Sequence, residues 1–127
     1  MEANDGNTGD RQPTANSSDG VVTLDDRGAC VVLRVSGALD LALAPQLRQL
    51  AERAVRLGPE KLIIDLTEVS FLASAGMAEL VRAHRHSSKS DLRVVAVGRI
   101  TLRPLQITRL TDELAIFPTL SAALDEQ

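Results

Sequence analysis

The chain has 127 residues, 44% of them hydrophobic, with 14 Lys and Arg against 17 Asp and Glu, which suits one domain with a real core. A net charge of −3 and only two aromatics, Phe71 and Phe117, argue against nucleic-acid and membrane-surface partners. The lone Cys30 excludes an internal disulfide framework, and without an apolar run of ~18–20 residues or a signal-peptide core the expected location is the cytoplasm.

Residues 1–20 are rich in Asn, Asp, Gly, Ser and Thr, and a flexible polar leader is expected there, with the domain over 21–127. Residues 21–24 predict a short strand, 25–28 a turn and 30–36 a second strand, together an antiparallel hairpin. Cys30 opens that second strand and reads as a buried, inert thiol. Gly37 breaks the pattern, and residues 38–44 lead into a helix with Pro45 in its first turn. Leu47, Leu50, Ala51, Ala54 and Val55 form its apolar stripe, Gln46, Arg48, Gln49, Glu52, Arg53 and Arg56 face water, and Gly58-Pro59 stops it.

Residues 61–66 form an apolar run carrying one acid, Asp65, the pattern of a strand buried on both faces. A connection over 67–73 follows. From Ser74 the spacing changes, with Met77, Leu80, Val81 and His84 at the intervals of an amphipathic helix. Ser74 therefore stands at a helix start, where a hydroxyl serves as an N-cap and where an anion, including a phosphate on Ser74 itself, is favoured. Both uses remain open. Residues 86–91 predict a polar loop, 92–97 a core strand ended by Gly98, and 101–110 a weaker helix with Pro104 near its start. Residues 114–116 form a short strand, and Thr119 caps a last helix with Leu120, Ala123 and Leu124 inward. The order β-β-α-β-α-β-α-β-α implies an α/β fold, with a mostly parallel sheet and one antiparallel hairpin strand.

Enzyme chemistry finds little support. The glycines are isolated breakers and form no phosphate loop, and one cysteine with two histidines gives no metal set, so no cofactor and no metal are expected. His84 lies on the apolar stripe as a half-buried packing residue, nearly three turns from Ser74, which leaves no nucleophile–base pair. What remains are acids (Asp40, Asp65, Glu68) and hydroxyls (Thr67, Ser70, Ser74), expected to gather at the carboxyl ends of parallel strands. For Asp65 a purely structural role, accepting loop N–H bonds, stands beside the functional one.

The stretch Asp65-Leu-Thr-Glu-Val-Ser-Phe-Leu-Ala-Ser-Ala-Gly-Met77 resembles the signature of bacterial anti-sigma factor antagonists, the STAS domain. That signature is a strand ending Asp-Leu-Ser/Thr and a loop reaching Asp-Ser-Ser-Gly-Leu at a helix start. Gly37-Ala-Leu-Asp40 is similar to the family's Gly-Glu-Leu-Asp, and Leu110 with Phe117-Pro-Thr-Leu-Ser-Ala-Ala-Leu124 is similar to its C-terminal pattern. The resemblance implies a non-enzymatic switch that binds an anti-sigma factor with serine-kinase activity and so frees a sigma factor for transcription. It also implies phosphorylation by that kinase at Ser74, with reset by a serine phosphatase. The partner surface it implies comprises Asp40, Asp65, Thr67, Glu68, Ser70, Leu72, Ala73, Ser74, Ala75, Gly76 and Met77. Ala73 stands where the family has an acid, and Ala75 where it has a second serine. Three readings follow: a phosphoswitch with altered partner choice, a constitutive antagonist, or a STAS subunit of a lipid or anion transport complex.

Overall fold

The apolar run at 62–66 is fully buried, and it lies at the middle of a five-stranded sheet. The structure, a computed structural model, describes residues 20–125; the leader expected over 1–20 falls outside them except for Gly20. In chain order the elements are β1 (Val21–Asp26), β2 (Cys30–Leu39), α1 (Ala44–Leu57), β3 (Lys61–Leu72), α2 (Ser74–His86), β4 (Asp91–Val95), α3 (Leu102–Ile107), β5 (Ala115–Phe117) and α4 (Leu120–Asp125), with a 3-10 turn at Leu110–Asp112. The sheet order is β1-β2-β3-β4-β5, β1 being antiparallel to β2 and each later pair parallel. This is the order and the mixed sheet that the sequence predicts.

Alternation along the strands separates two cores. On one face, Leu33 and Val35 of β2 and Leu62 and Ile64 of β3 pack on Leu47 and Ala54 of α1, Leu80 of α2 and Leu105 of α3. On the other, Val32, Ile63 and Val95 meet Ala123 of α4, flanked by Phe117, Leu120 and Leu124. Polar bonds hold α4 in place. Ala122 N donates to the capping Thr119 Oγ1 (3.0 Å), Arg93 Nη1 to the Ala123 carbonyl (2.8 Å) and Lys61 Nζ to the Leu124 carbonyl (2.7 Å). Helix α1 buries Leu47, Ala51 and Ala54 as its stripe requires, and it ends on Gly58 in the left-handed region (φ 65°).

Six expectations are corrected. Strand β2 runs through Gly37 to Leu39, and β3 runs through the expected 67–73 connection to Leu72. Between the pairs Arg34–Asp65 and Ser36–Glu68, β3 spends one residue more than β2, and it does so again between Gly37–Val69 and Ala38–Phe71. Two bulges in β3 therefore interrupt the alternation that would have marked a strand, and Gly37, between them on the facing β2, takes a positive φ (85°). The buried face of α2 is Gly76, Glu79, Leu80 and Ala83, while Met77, Val81 and His84 are half-buried. Helix α3 is shorter than expected and β4 ends at Val95. Cys30 is half-buried rather than buried, and the burial it has pushes its thiol pKa up.

Candidate functional site

The join between β3 and α2 is made by Ala73. Its backbone is extended (φ −89°, ψ 166°), its N–H donates to the Leu39 carbonyl (3.0 Å), and its carbonyl accepts from Gly76 N (3.0 Å) and Met77 N (3.1 Å). Ala73 is therefore the N-cap, and it has no side chain to cap with. Ser74, expected at that position, is instead the first helical residue. It is exposed, and its hydroxyl makes no hydrogen bond among the described residues. The N–H groups of Ser74 and Ala75 likewise make none, so they stand open at the positive end of a 13-residue helix.

Gly76 fixes where that end lies. A Cβ there would sit 2.5 Å from Leu39 Cγ and 2.9 Å from the Leu39 carbonyl oxygen. Only glycine lets the first turn of α2 rest on the end of β2, which gives the Ser-x-Gly spacing a steric cause. Next to Leu39, the Asp40 carboxylate accepts from Ala42 N and Leu43 N (both 3.1 Å) and so folds the turn into α1. That turn projects Leu41, 78% exposed, into solvent.

The structure brings together Asp40 and residues 72–77. Asp65, Thr67 and Glu68 lie elsewhere, lining a shallow groove with Arg34, Pro118 and Leu120 on the α4 side of the sheet. The extended segment from Asp65 to Leu72 spans on the order of 20 Å, which separates this acidic group from Ser74. Asp65 is buried, and its Oδ1 accepts from both the N–H (3.0 Å) and the hydroxyl of Thr67. The Asp-x-Thr spacing thus satisfies a backbone donor where the first bulge interrupts the ladder. Ser70 is exposed beside the second bulge.

Sequence reasoning reached only part of the apolar edge: the 71–75 stretch with Phe71 was readable as apolar surface, the other exposed groups were not. Leu41, Phe71 (57% exposed), Val97, Ile100 and Ile107 are large exposed hydrophobics at or beyond the carboxyl ends of the parallel strands. Ile107 ends α3 beside Thr108, whose hydroxyl is 3.8 Å from Met77 Sδ. For Ile100 the available signal was a bulky apolar residue between Arg99 and Thr101 in a connection; Leu41, among Leu39, Ala42 and Leu43, carried no such signal. Also missed was Glu79, buried on α2 and held by Arg48 of α1 through three contacts of 3.2, 3.1 and 2.7 Å. The hydrogen bond from Arg48 to Glu79, reinforced by its charge, pushes the guanidinium pKa up. His84 buries its Nδ1 without a hydrogen-bond partner among the described residues. No group of three metal-ligating side chains occurs among the described residues, and no helix there is long and apolar enough to cross a membrane.

Residues 21–123 match the family model described as STAS domain. The anti-sigma-F factor antagonist RsfB of Mycobacterium tuberculosis is 35% identical over 104 residues, covering 81% of this chain and 85% of the relative. The crystal structure of an anti-sigma factor antagonist from Mycobacterium paratuberculosis superposes with a TM-score of 0.79 at 32% identity, covering 89% of this chain and 96% of that one. The unphosphorylated form of SpoIIAA, at 18% identity and a TM-score of 0.64 over 83% of this chain and 96% of its own, shares the fold. The family-model match over residues 21–123 and the 35% identical relative place this chain in the STAS domain family.

Proposed function

We propose that this chain is an anti-sigma factor antagonist, a regulatory binding protein that acts in the cytoplasm. It captures an anti-sigma factor with serine-kinase activity, frees a sigma factor, and is switched off by phosphorylation of Ser74. The observation that carries this reading is an exposed, unbonded Ser74 hydroxyl at the first residue of α2, on an edge bearing Leu41, Phe71 and Ile100. Apolar exposure of this kind marks a docking surface. The partner surface comprises Asp40, Ala73, Ser74, Ala75 and Met77, shaped from beneath by the buried Leu72 and Gly76, with Thr67, Glu68 and Ser70 over the buried Asp65 on its far flank. The relative RsfB, an anti-sigma-F factor antagonist by name, supports the partner class.

Phosphorylation adds about −1.5 to −2 charge at neutral pH. Within the free domain the open N–H groups and helix dipole stabilise it by about 0.3–1 kcal/mol. Buried unpaired against a docked partner, the same charge costs several kcal/mol, so the complex falls apart. A second reading, a constitutive antagonist, is favoured by one feature: Ala73 and Ala75 leave no polar side chain beside Ser74 to orient a kinase.

The test is intact-mass analysis after incubation with ATP and each candidate anti-sigma kinase of the same genome, together with two variants. One phosphate localised to Ser74 is expected. Ser74→Glu is expected to weaken binding about tenfold or more, equivalent to about 1.4 kcal/mol. Ser74→Ala should bind normally and resist the kinase. With no cap to lose, it should also keep its stability within about 0.5 kcal/mol. A stable complex with no phosphate would establish the constitutive reading instead; neither complex nor phosphate would leave the transport-subunit alternative in front.

A further inference from the structure

Helices α1 and α2 lie side by side on the sheet, and small residues face each other across the gap. Ala51 of α1 and Ala83 of α2, with Val55, form the apolar floor of a groove of about 230 Å³. The groove closes at one end on the Arg48–Glu79 pair and is rimmed by Arg56, Arg82 and His86. On the other side of the balance stands one further acid, Glu52. Glu79 is already engaged by Arg48, whereas Arg56 and Arg82 have no ion-pair partner among the described residues. His86 Nδ1 is 2.8 Å from the Arg82 carbonyl, so that nitrogen donates there, Nε2 of the neutral ring is an acceptor, and the two arginines are left as the donors of the rim. Arg56 and His86 sit in the last turns of their helices, where their charge also offsets the dipoles. Arg82 lies a turn earlier on α2, away from that explanation.

We infer that this groove binds a small carboxylate with a short apolar body, its hydrocarbon on Ala51, Val55 and Ala83 and its charge on Arg82 and Arg56. The volume falls below the roughly 300–1,000 Å³ of drug-sized pockets, which limits the ligand to a small one. The guanidinium fork matches a carboxylate, and the excess of cation over acid at the rim sets the sign of the ligand. The site is separate from the Ser74 edge. Glu79 to His86 lies roughly 8–18 Å along α2 from Ser74, at 1.5 Å per residue. The inference does not depend on the identity of the protein partner.

The probe is 4-phenylbutyrate, titrated into the full chain and followed by amide chemical shifts, with acetate and 4-phenyl-1-butanol as charge-only and body-only controls. Saturable shifts centred on Ala51, Glu79 and Ala83 are expected, with Kd on the order of 0.1–1 mM for a ligand of that size. Both controls should bind about tenfold more weakly or worse. Arg82→Gln and Arg56→Gln, both at exposed positions that leave the fold intact, should each weaken binding about tenfold. Non-saturating shifts, acetate binding as tight as phenylbutyrate, a response centred on Ser74, or unchanged affinity in both variants would each overturn the inference.

Discussion

Gly76 shows how a single missing methyl group can position a functional residue. The Leu39 side chain at 2.5 Å could rotate away from an added Cβ, but the Leu39 carbonyl at 2.9 Å is part of the β2 backbone and cannot. Gly76→Ala must therefore lift the first turn of α2 off β2 and strain the Ala73 N–H bond to the Leu39 carbonyl (3.0 Å). Overpacking of this kind costs about 1–3 kcal/mol, more than the few tenths to 1 kcal/mol that alanine gains in helix propensity. A lower urea midpoint is expected for Gly76→Ala, accompanied by weaker partner binding because Ser74 moves with the turn. An unchanged midpoint would mean that the contact relaxes freely. The glycine was legible in the sequence as part of a motif, but its reason was not, because Leu39 is 37 residues away and the contact is tertiary. Asp65 is the opposite case. Its structural role spans only two residues, so the bond to Thr67 N–H was readable as turn chemistry in advance.

Among the elements, α2 carries a defect at its own start. Its N-cap is Ala73, the backbone there is already extended as a cap requires, and no acidic residue occupies the first turn. An Asp at position 73 needs no backbone change to accept from the open N–H groups of the first turn. Ala73→Asp is thus expected to stabilise the domain by about 0.5–2 kcal/mol, read as a raised urea midpoint. If the absent carboxylate also limits the kinase, the same substitution speeds phosphorylation of Ser74. A rate that stays constant while stability rises would show that capping and kinase recognition are separate. The helix itself was legible from its apolar spacing, yet its buried face was read about one residue late. The reason is Glu79: a buried carboxylate held by Arg48 looks, in the sequence, like a solvent-facing position.

For the molecule as a whole, the order of strands and helices was legible because most elements keep a clean period and are bounded by turn residues. The length of β3 was not, because its two bulges erase the period where the strand leaves the core. The division into two cores depends on one short helix. Six-residue α4 would not persist alone, yet it covers Val32, Ile63 and Val95, all fully buried, and its carbonyls receive Arg93 and Lys61. Arg93 is 4% exposed, lies 4.9 Å over the Phe117 ring and is paired with Asp91 (2.8 Å), and the Ala123 carbonyl of α4 adds a further charge-assisted bond in a dry setting. Truncation after Pro118 exposes three apolar side chains at about 1.5–3 kcal/mol each and strips Arg93 of the Ala123 carbonyl. That loss is comparable to the roughly 5–15 kcal/mol that holds a typical domain together. The truncated chain is expected to lose its cooperative urea transition and to elute as aggregate, since the bared face is an apolar sheet surface. A truncated monomer unfolding at the full-length midpoint would show instead that the three-helix face alone sustains the sheet, and that the edge presenting Ser74 owes nothing to the helix behind it.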